Sequence, residues 1–311
     1  MFNQLLSFLN TEPLISSIMM NSKLIRIPKF VPVLIVIFGF LSVNQKLYAE
    51  ADIIWIPAIN EEYSDTETDT IRVLNYNIRF GMGMDHEVDI HRIARVILDA
   101  NADIVALQEV DAGVERSFRF DIMKILEGYT GLEAIFYKNI HHQGGEYGNG
   151  ILSRYPVQSS RNYHYVVEGS SEQRGLLQTE LLIKGQKIAF MNTHLDHGPN
   201  EMLRLMSADQ IIETKKAYRG MPVLLAGDIN DIPGSETHLK LSQYFEDVWD
   251  VIGEGDGFTF RSDDPDRRID YIFYSNDLAG ENMRILRPVS VDVLDTQASD
   301  HRPVLAVFVL E

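Results

Sequence analysis

Apolar and polar residues alternate through residues 71–80, "IRVLNYNIRF", the two-residue period of a half-buried strand. The period then changes. In "DIHRIARVILDAN" (89–101) the apolar positions are Ile90, Ile93, Ala94, Ile97 and Leu98, which is helical spacing, and Asp89 is placed to cap the first turn. "DIVALQEV" (103–110) returns to a strand pattern, so the three segments predict a crossover between neighbouring parallel strands. A second helix is expected over 120–129, ending near Gly128, and strands over 149–153, 177–183, 187–193 and 222–227. The two central runs are joined through "KGQ", a short hairpin signal. The longest helical pattern covers 200–218, and 268–275 and 301–311 close the chain as strands. Crossovers, hairpins and interspersed helices predict a layered α/β (α+β) fold, two mixed sheets face to face with outer helices.

The first fifty residues differ in character. Residues 21–29 are basic, 30–43 are apolar, and 44–51 end in Ala49-x-Ala51, the order of a secretory signal peptide. The apolar run is short against the roughly 20 residues of a membrane span, and an uncleaved anchor is the alternative. Translation from Met19 or Met20 fits this pattern better than Met1. Residues 52–70, acidic and Thr-rich towards their end, read as a linker, and 71–311 as one domain, undivided by repeats or Pro/Gly/Ser-rich stretches. With 45% hydrophobic residues the chain can bury a full core, and with no cysteine it forgoes disulfides and a lipoprotein anchor. The net charge of −17 repels nucleic-acid backbones unless a basic groove or bound cations intervene, which favours smaller phosphate-bearing substrates over long nucleic acid.

Several strand-like runs end in polar groups. "VLLAGDIND" (223–231) passes from apolar residues through Gly227 into Asp228, Asn230 and Asp231. Turn formation accounts for such residues singly. If the strand continues, however, Asp228 and Asn230 share a face and suit one ligand. An EF-hand loop fails here because its fifth and sixth positions would be Ile232 and Pro233. No Gly-rich phosphate loop with Lys, His-Glu-x-x-His or Gly-x-Ser-x-Gly occurs. The remaining polar set suits one chemistry. Asn77, Glu109 and Asp300 are oxygen ligands for a hard cation, His194 and His301 can move protons or bond a phosphoryl oxygen, and Asp270 can orient His301. Phosphate-ester hydrolysis needs such a kit.

The ordered series "LNYNI", "QEV", "GNGILSRYP", "NTHL", "GDIND", "RIDYIF" and "SDHRPV" resembles the endonuclease/exonuclease/phosphatase (DNase I-like) superfamily of metal-dependent hydrolases, over about residues 71–310. The resemblance implies a four-layer α/β sandwich. It implies that Asn77 and Glu109 hold Mg²⁺ (Mn²⁺ being the alternative) with Asp300 beside them, and that His301 is the catalytic histidine paired with Asp270. Asp228 and Asn230 would sit near the nucleophile and scissile phosphate, Asp228 rivalling His301 as the base, and His194 would donate to a phosphoryl oxygen. Asn149 stands near where DNase I-like nucleases carry a catalytic Glu. It becomes a candidate phosphate contact, against a turn amide between two glycines. Arg174 is a second phosphate candidate, against an exposed Arg before a strand, and Arg116 a weaker one. Tyr147 is a candidate cleft residue, with Phe258, Phe260 and Tyr271, against ordinary core aromatics. Asp196 and His197, directly after "THL", are expected to be solvated loop residues, extra metal ligands being the alternative. Together these point to an exported Mg²⁺-dependent phosphoesterase acting on a phosphodiester or phosphomonoester of a small molecule, sugar phosphate or lipid head group. No protein partner is evident. A secreted nuclease is the rival in the same class. A non-catalytic binding module would require a missing ligand or histidine, and none is missing.

Overall fold

Residues 70–278 and 283–311 are described in the computed structural model. The expected signal peptide and nearly all of the linker therefore lie outside the described residues. From Thr70 the chain forms β1 (Thr70–Asn77), α1 (Ile90–Asp99) and β2 (Ile104–Ala112), with β1 and β2 parallel as their patterns predict. Asp89 caps α1, accepting from the amides of His91 and Arg92. There follow α2 (Ile122–Thr130), β3 (Glu133–His142), β4 (Gly145–Ser153), β5 (Val157–His164), β6 (Gly175–Ile183) and β7 (Gln186–His194). The β6–β7 turn is Lys184-Gly185, both with positive φ, the conformation of a tight two-residue hairpin. Helix α3 (Glu201–Lys215) crosses to β8 (Val223–Asp228), which is parallel to β7. The chain ends with α4 (Glu236–Ser242), β9 (Glu246–Asp247), α5 (Val248–Ile252), β10 (Asp270–Ser275), β11 (Leu286–Val293) and β12 (Val304–Leu310).

Two six-stranded mixed sheets result, ordered β11-β12-β1-β2-β4-β3 and β5-β6-β7-β8-β10-β9. The eight strands expected from the sequence are the interior strands of these sheets. The four it does not reveal (β3, β5, β9 and β11) are their edges. Val73, Ala106, Phe190, Leu224, Ala226 and Phe308 share the core between the sheets. Leu74, Val105 and Leu107 meet α1 and α2 through Ile93, Ile97, Ile122 and Leu126 on the other face of the first sheet. Met191 and Leu225 meet α3 and α4 through Ala208, Ile211 and Leu241 on the outer face of the second. This is the expected four-layer order of helices, sheet, sheet and helices.

Along the inner faces the alternation changes chemistry at one level. Val73 is followed two residues later by Asn75 and Asn77, Ala106 by Gln108, Phe190 by Asn192 and His194, and Ala226 by Asp228. The inter-sheet core thus ends in a buried polar layer towards the C-terminal ends of β1, β2, β7 and β8. Close strand approach there depends on Gly227, where an added Cβ would lie 2.3 Å from the Thr193 carbonyl oxygen on β7. Gly227→Ala should destabilise the domain by about 2 kcal/mol, as overpacking against fixed backbone does. Chemical denaturation checks this, and an unchanged midpoint contradicts the close approach.

Candidate active site

Three buried amides of the polar layer join the sheets. Gln108 Nε2 donates to Asn75 Oδ1 at 2.8 Å within its own sheet and to Asn192 Oδ1 at 2.7 Å in the other. Asn192 Nδ2 donates back to the carbonyls of Leu107 (2.9 Å) and Gly150 (2.7 Å), and Asn75 Nδ2 to that of Gly227 (3.1 Å). All three side chains are fully buried, so each bond replaces one otherwise made to water. Each amide lies one or two residues before a candidate site residue: Asn75 before Asn77, Gln108 before Glu109, Asn192 before His194. The sequence reading missed this ladder. Its signal is an amide at an inward position of an otherwise apolar strand.

The second sheet supplies one half of the site. His194 is in register with Asp228, and Asp228 with Asp270, so three adjacent strands bring these residues to one level. Asp228 Oδ1 accepts from the Asn230 amide at 2.9 Å and Oδ2 from Asn77 Nδ2 at 3.0 Å. Its Oδ2 also faces His194 Nε2 at 3.5 Å and His301 Nε2 at 3.7 Å. His301 Nδ1 bonds Asp270 Oδ2 at 2.8 Å, and the Phe260 ring packs 4.8 Å from its imidazole. The expected His301–Asp270 pair is therefore present.

Burial raises the Asp228 carboxyl, and Asp270 beside it adds to the rise. Burial opposes charge on His301, yet Asp270, Asp228 and Asp300 outweigh it and favour the imidazolium. His194 moves the other way: burial first, then Arg174, His301 and His197, hold it neutral. Arg174 Nη1 lies 2.8 Å from His194 Nδ1, and a guanidinium can only donate. Nδ1 is therefore the acceptor, and the His194 proton sits on Nε2, facing Asp228 and the cleft.

The first sheet supplies the other half. Asn77 Nδ2 donates to Glu109 Oε1 at 3.2 Å, and its Oδ1 accepts from the Arg79 amide at 3.1 Å. Ser299 Oγ donates to the Asn77 carbonyl at 2.8 Å and lies 3.4 Å from Asp300 Oδ1, tying Asp300 to the same strand. Arg79 Nε pairs with Asp300 Oδ2 at 3.4 Å. Glu109, Arg79 and Phe80 all have positive φ, backbone strain gathered around one side of the cleft. Among the described residues Glu109 makes no ion pair, leaving its carboxylate open to a cation. Two carboxylates and an amide form an oxygen-only set that fits a hard divalent ion. Among the described residues, two groups of His and Asp side chains lie within ligand distance of one another: Asp228, Asp270 and His301, of which Asp270 and His301 are already hydrogen-bonded, and His238, Asp247 and Asp250, away from the cleft and engaged with Arg268.

Two expectations change, for Asn230 and Asp196, and for Arg174 and Asn149 one of the two open readings falls. β8 ends at Asp228, and Asn230 has φ 52°, so the two do not share a strand face. Asn230 instead donates its side-chain amide to the Leu195 carbonyl at 3.2 Å, and its backbone amide positions Asp228. Arg174 is no exposed arginine; it is 6% exposed and set against His194. Asp196 is no solvated loop residue: it is buried, and accepts from Gly198 N at 2.7 Å and Ser170 Oγ at 3.2 Å. His197 Nδ1 lies 3.3 Å from Arg174 Nη2. Asn149 is no turn amide either, being buried within β4 and donating to the Gly175 carbonyl at 3.3 Å. Tyr147 is buried on the same strand, and burial and then Glu109 raise its phenol well above the usual range. Arg116 lies over Tyr147 and Phe80 but is held bidentately by Asp111. Tyr271 is core, stacked on Phe273.

Fold and site together define a hydrolase of phosphoric esters. Residues 74–301 match the Endonuclease/Exonuclease/phosphatase family, and the chain belongs to that family of metal-dependent enzymes. Among relatives, the uncharacterized protein YbhP of Escherichia coli K12 is 27% identical over 223 residues, covering 68% of this chain and 87% of YbhP. The endonuclease/exonuclease/phosphatase of Beutenbergia cavernae is similar in structure, with TM-score 0.65 and 24% identity over 78% of this chain and 72% of that one. So is mannosyl-6-phosphatase Bt3783 of Bacteroides thetaiotaomicron, with TM-score 0.64 and 18% identity over 77% of this chain and all of its own.

Asn192→Ala removes three buried hydrogen bonds, one accepted from Gln108 and two donated to carbonyls of the first sheet. It should cost about 2–4 kcal/mol in a denaturant titration, since each intramolecular hydrogen bond contributes about 0.5–1.5. A loss within about 0.5 kcal/mol, the size of a surface substitution, contradicts the ladder.

Proposed function

We propose that the protein is an exported phosphoesterase that uses Mg²⁺, with Mn²⁺ able to replace it. It hydrolyses a phosphodiester or phosphomonoester of a small molecule, a sugar phosphate or a lipid head group. The observation that carries this reading is the placement of Asp228 between two imidazoles and an amide, across the gap between the sheets from Asn77, Glu109 and Asp300.

Asn77, Glu109 and Asp300 hold the cation, which when bound neutralises phosphoryl charge and lowers the cost of the transition state. Asp228 is an acceptor at the centre of the cleft and takes the proton of the attacking water. The rival assignment gives that proton to His301. The structure favours Asp228, because Asp270 engages His301 Nδ1 and the surrounding carboxylates favour its charged form. His301 then orients the water and stabilises negative charge. His194, neutral with its proton on Nε2, donates to a phosphoryl oxygen, and Arg174 fixes that tautomer.

The net charge of −17 supports a small substrate over long nucleic acid. The fold-level likeness to a mannosyl-6-phosphatase supports including sugar phosphates. The basic, apolar and small-residue order of residues 21–51 supports export.

A panel of aryl, sugar and lipid-head-group phosphate esters, with oligonucleotides alongside, tests the reading in Mg²⁺ and in EDTA. Hydrolysis of small esters is expected in Mg²⁺ and lost in EDTA. Cleavage of oligonucleotides alone would establish the nuclease instead. Asp228→Asn and His301→Ala should each lower kcat by about 100- to 10,000-fold, the range for removing a general acid or base, while circular dichroism stays native. Turnover within a few-fold of wild type in both variants contradicts the mechanism.

A further inference from the structure

Arg79 touches the ligand set but has no part in the chemistry so far assigned to it. It follows Asn77 by two residues, in the short turn Arg79–Gly81 that leaves β1. Its backbone amide donates to Asn77 Oδ1 at 3.1 Å, and its carbonyl accepts from Met82 N at 2.8 Å. Arg79, Phe80 and Gly81 all have positive φ (44°, 46° and 84°), a run that persists only where the surroundings enforce it. They do so here. The guanidinium carbon of Arg116 lies 4.0 Å from the Phe80 ring centre, and Asp111 holds that guanidinium with two hydrogen bonds. A Cβ on Gly81 would meet Ile90 Cδ1 at 2.3 Å, so the turn is pressed onto α1.

The backbone of Arg79 is thus fixed, while its guanidinium is not. Among the described residues none of its side-chain nitrogens makes a hydrogen bond. Its one ion pair, Nε to Asp300 Oδ2 at 3.4 Å, is longer than a charge-assisted hydrogen bond, and the side chain is 25% exposed. Arg116 and Arg174 are by contrast tied down, one by Asp111 and the other by His194. Arg79 therefore presents a planar, permanently charged fork of donors to solvent, beside a carboxylate of the oxygen-only set.

Charge balance says what such a fork is for. A divalent cation on Asn77, Glu109 and Asp300 is matched by the two carboxylates that hold it. The charge on His301 is matched by Asp270, and His194 is held neutral. A phosphate ester is an anion, and among these groups only Arg79 has positive charge and donors left to meet it. A phosphate that reaches the ligand set comes within reach of a guanidinium lying 3.4 Å from Asp300.

We propose that Arg79 clamps the substrate phosphate, its fork donating to non-bridging oxygens of the group that the cation polarises. The inference rests on the phosphoesterase reading and adds a substrate-binding residue to it.

The test uses Mn²⁺ as the ion and inorganic phosphate as the probe, on wild type, Arg79→Gln and Arg79→Lys, each checked for native circular dichroism. Calorimetry at saturating Mn²⁺ should show phosphate bound about tenfold or more weakly in Arg79→Gln, the loss of a hydrogen bond to a charged group. Arg79→Lys keeps a point charge without the fork and should fall between Arg79→Gln and wild type. Electron paramagnetic resonance should show Mn²⁺ affinity held or tightened in Arg79→Gln, because a positive charge beside the ion is gone. The kcat/KM for p-nitrophenyl phosphate should drop along with phosphate affinity. Phosphate affinity within about twofold of wild type in both variants overturns the clamp. So does a fall in Mn²⁺ affinity with phosphate binding at saturating Mn²⁺ unmoved, which would make Arg79 a support for Asp300. A wild-type protein that neither binds phosphate nor hydrolyses the ester removes the phosphoesterase reading itself. One that hydrolyses the ester, with Arg79→Gln unimpaired, removes the clamp alone.

Discussion

The ladder of Asn75, Gln108 and Asn192 is the constraint on which the rest depends. Two sheets packed by apolar side chains alone slide at little cost, because dispersion and the hydrophobic effect are non-directional. Hydrogen bonds buried between them are directional, and slippage would break four of them at once. The ladder lies where the strands pass from core to cleft, so the register it sets is transmitted over one or two residues to Asn77, Glu109, His194 and Asp228. Gly227 belongs to the same device, since its bare Cα lets β8 approach β7 and its carbonyl receives Asn75.

That register makes a divided site. The first sheet offers oxygen atoms on strained backbone, suited to holding a cation. The second offers Asp228 and His194, and His301, on the segment leading into β12 of the first sheet, completes the set; burial and then Arg174 hold one imidazole neutral, while carboxylates favour the charge on the other. Asn77 spans the two halves, its amide nitrogen reaching Glu109 and Asp228 together. A phosphate between the halves would meet positive charge on one side and proton traffic on the other.

How much of this the sequence disclosed follows from burial. The interior strands carry alternating or continuous apolar runs because they are covered on both faces, and every one of them is legible. The edge strands β3 and β5 are half exposed, with sequences such as "VQSSRNYH" that carry no period, and β9 has only two residues. The site residues that close a strand were legible as polar interruptions. Asn230 was misjudged because a left-handed residue ends the strand alternation, which a two-residue period cannot anticipate. For Arg174 the sequence left an exposed arginine open beside the phosphate contact, because an arginine's burial is decided by distant partners, here His194 across the β6–β7 ladder. Arg79 and Ser299 were invisible for the same reason.

The central claim is that the cation belongs to Asn77, Glu109 and Asp300 and the proton chemistry to Asp228, His194 and His301. Titration of Mn²⁺ followed by electron paramagnetic resonance tests it directly, on wild type, Glu109→Gln and Asp228→Asn. The account predicts one site whose affinity falls about tenfold or more in Glu109→Gln, as loss of a charged ligand should cause, and survives in Asp228→Asn. Binding that is unchanged in Glu109→Gln and lost in Asp228→Asn would place the ion among Asp228, Asp270 and His301, and would contradict the division.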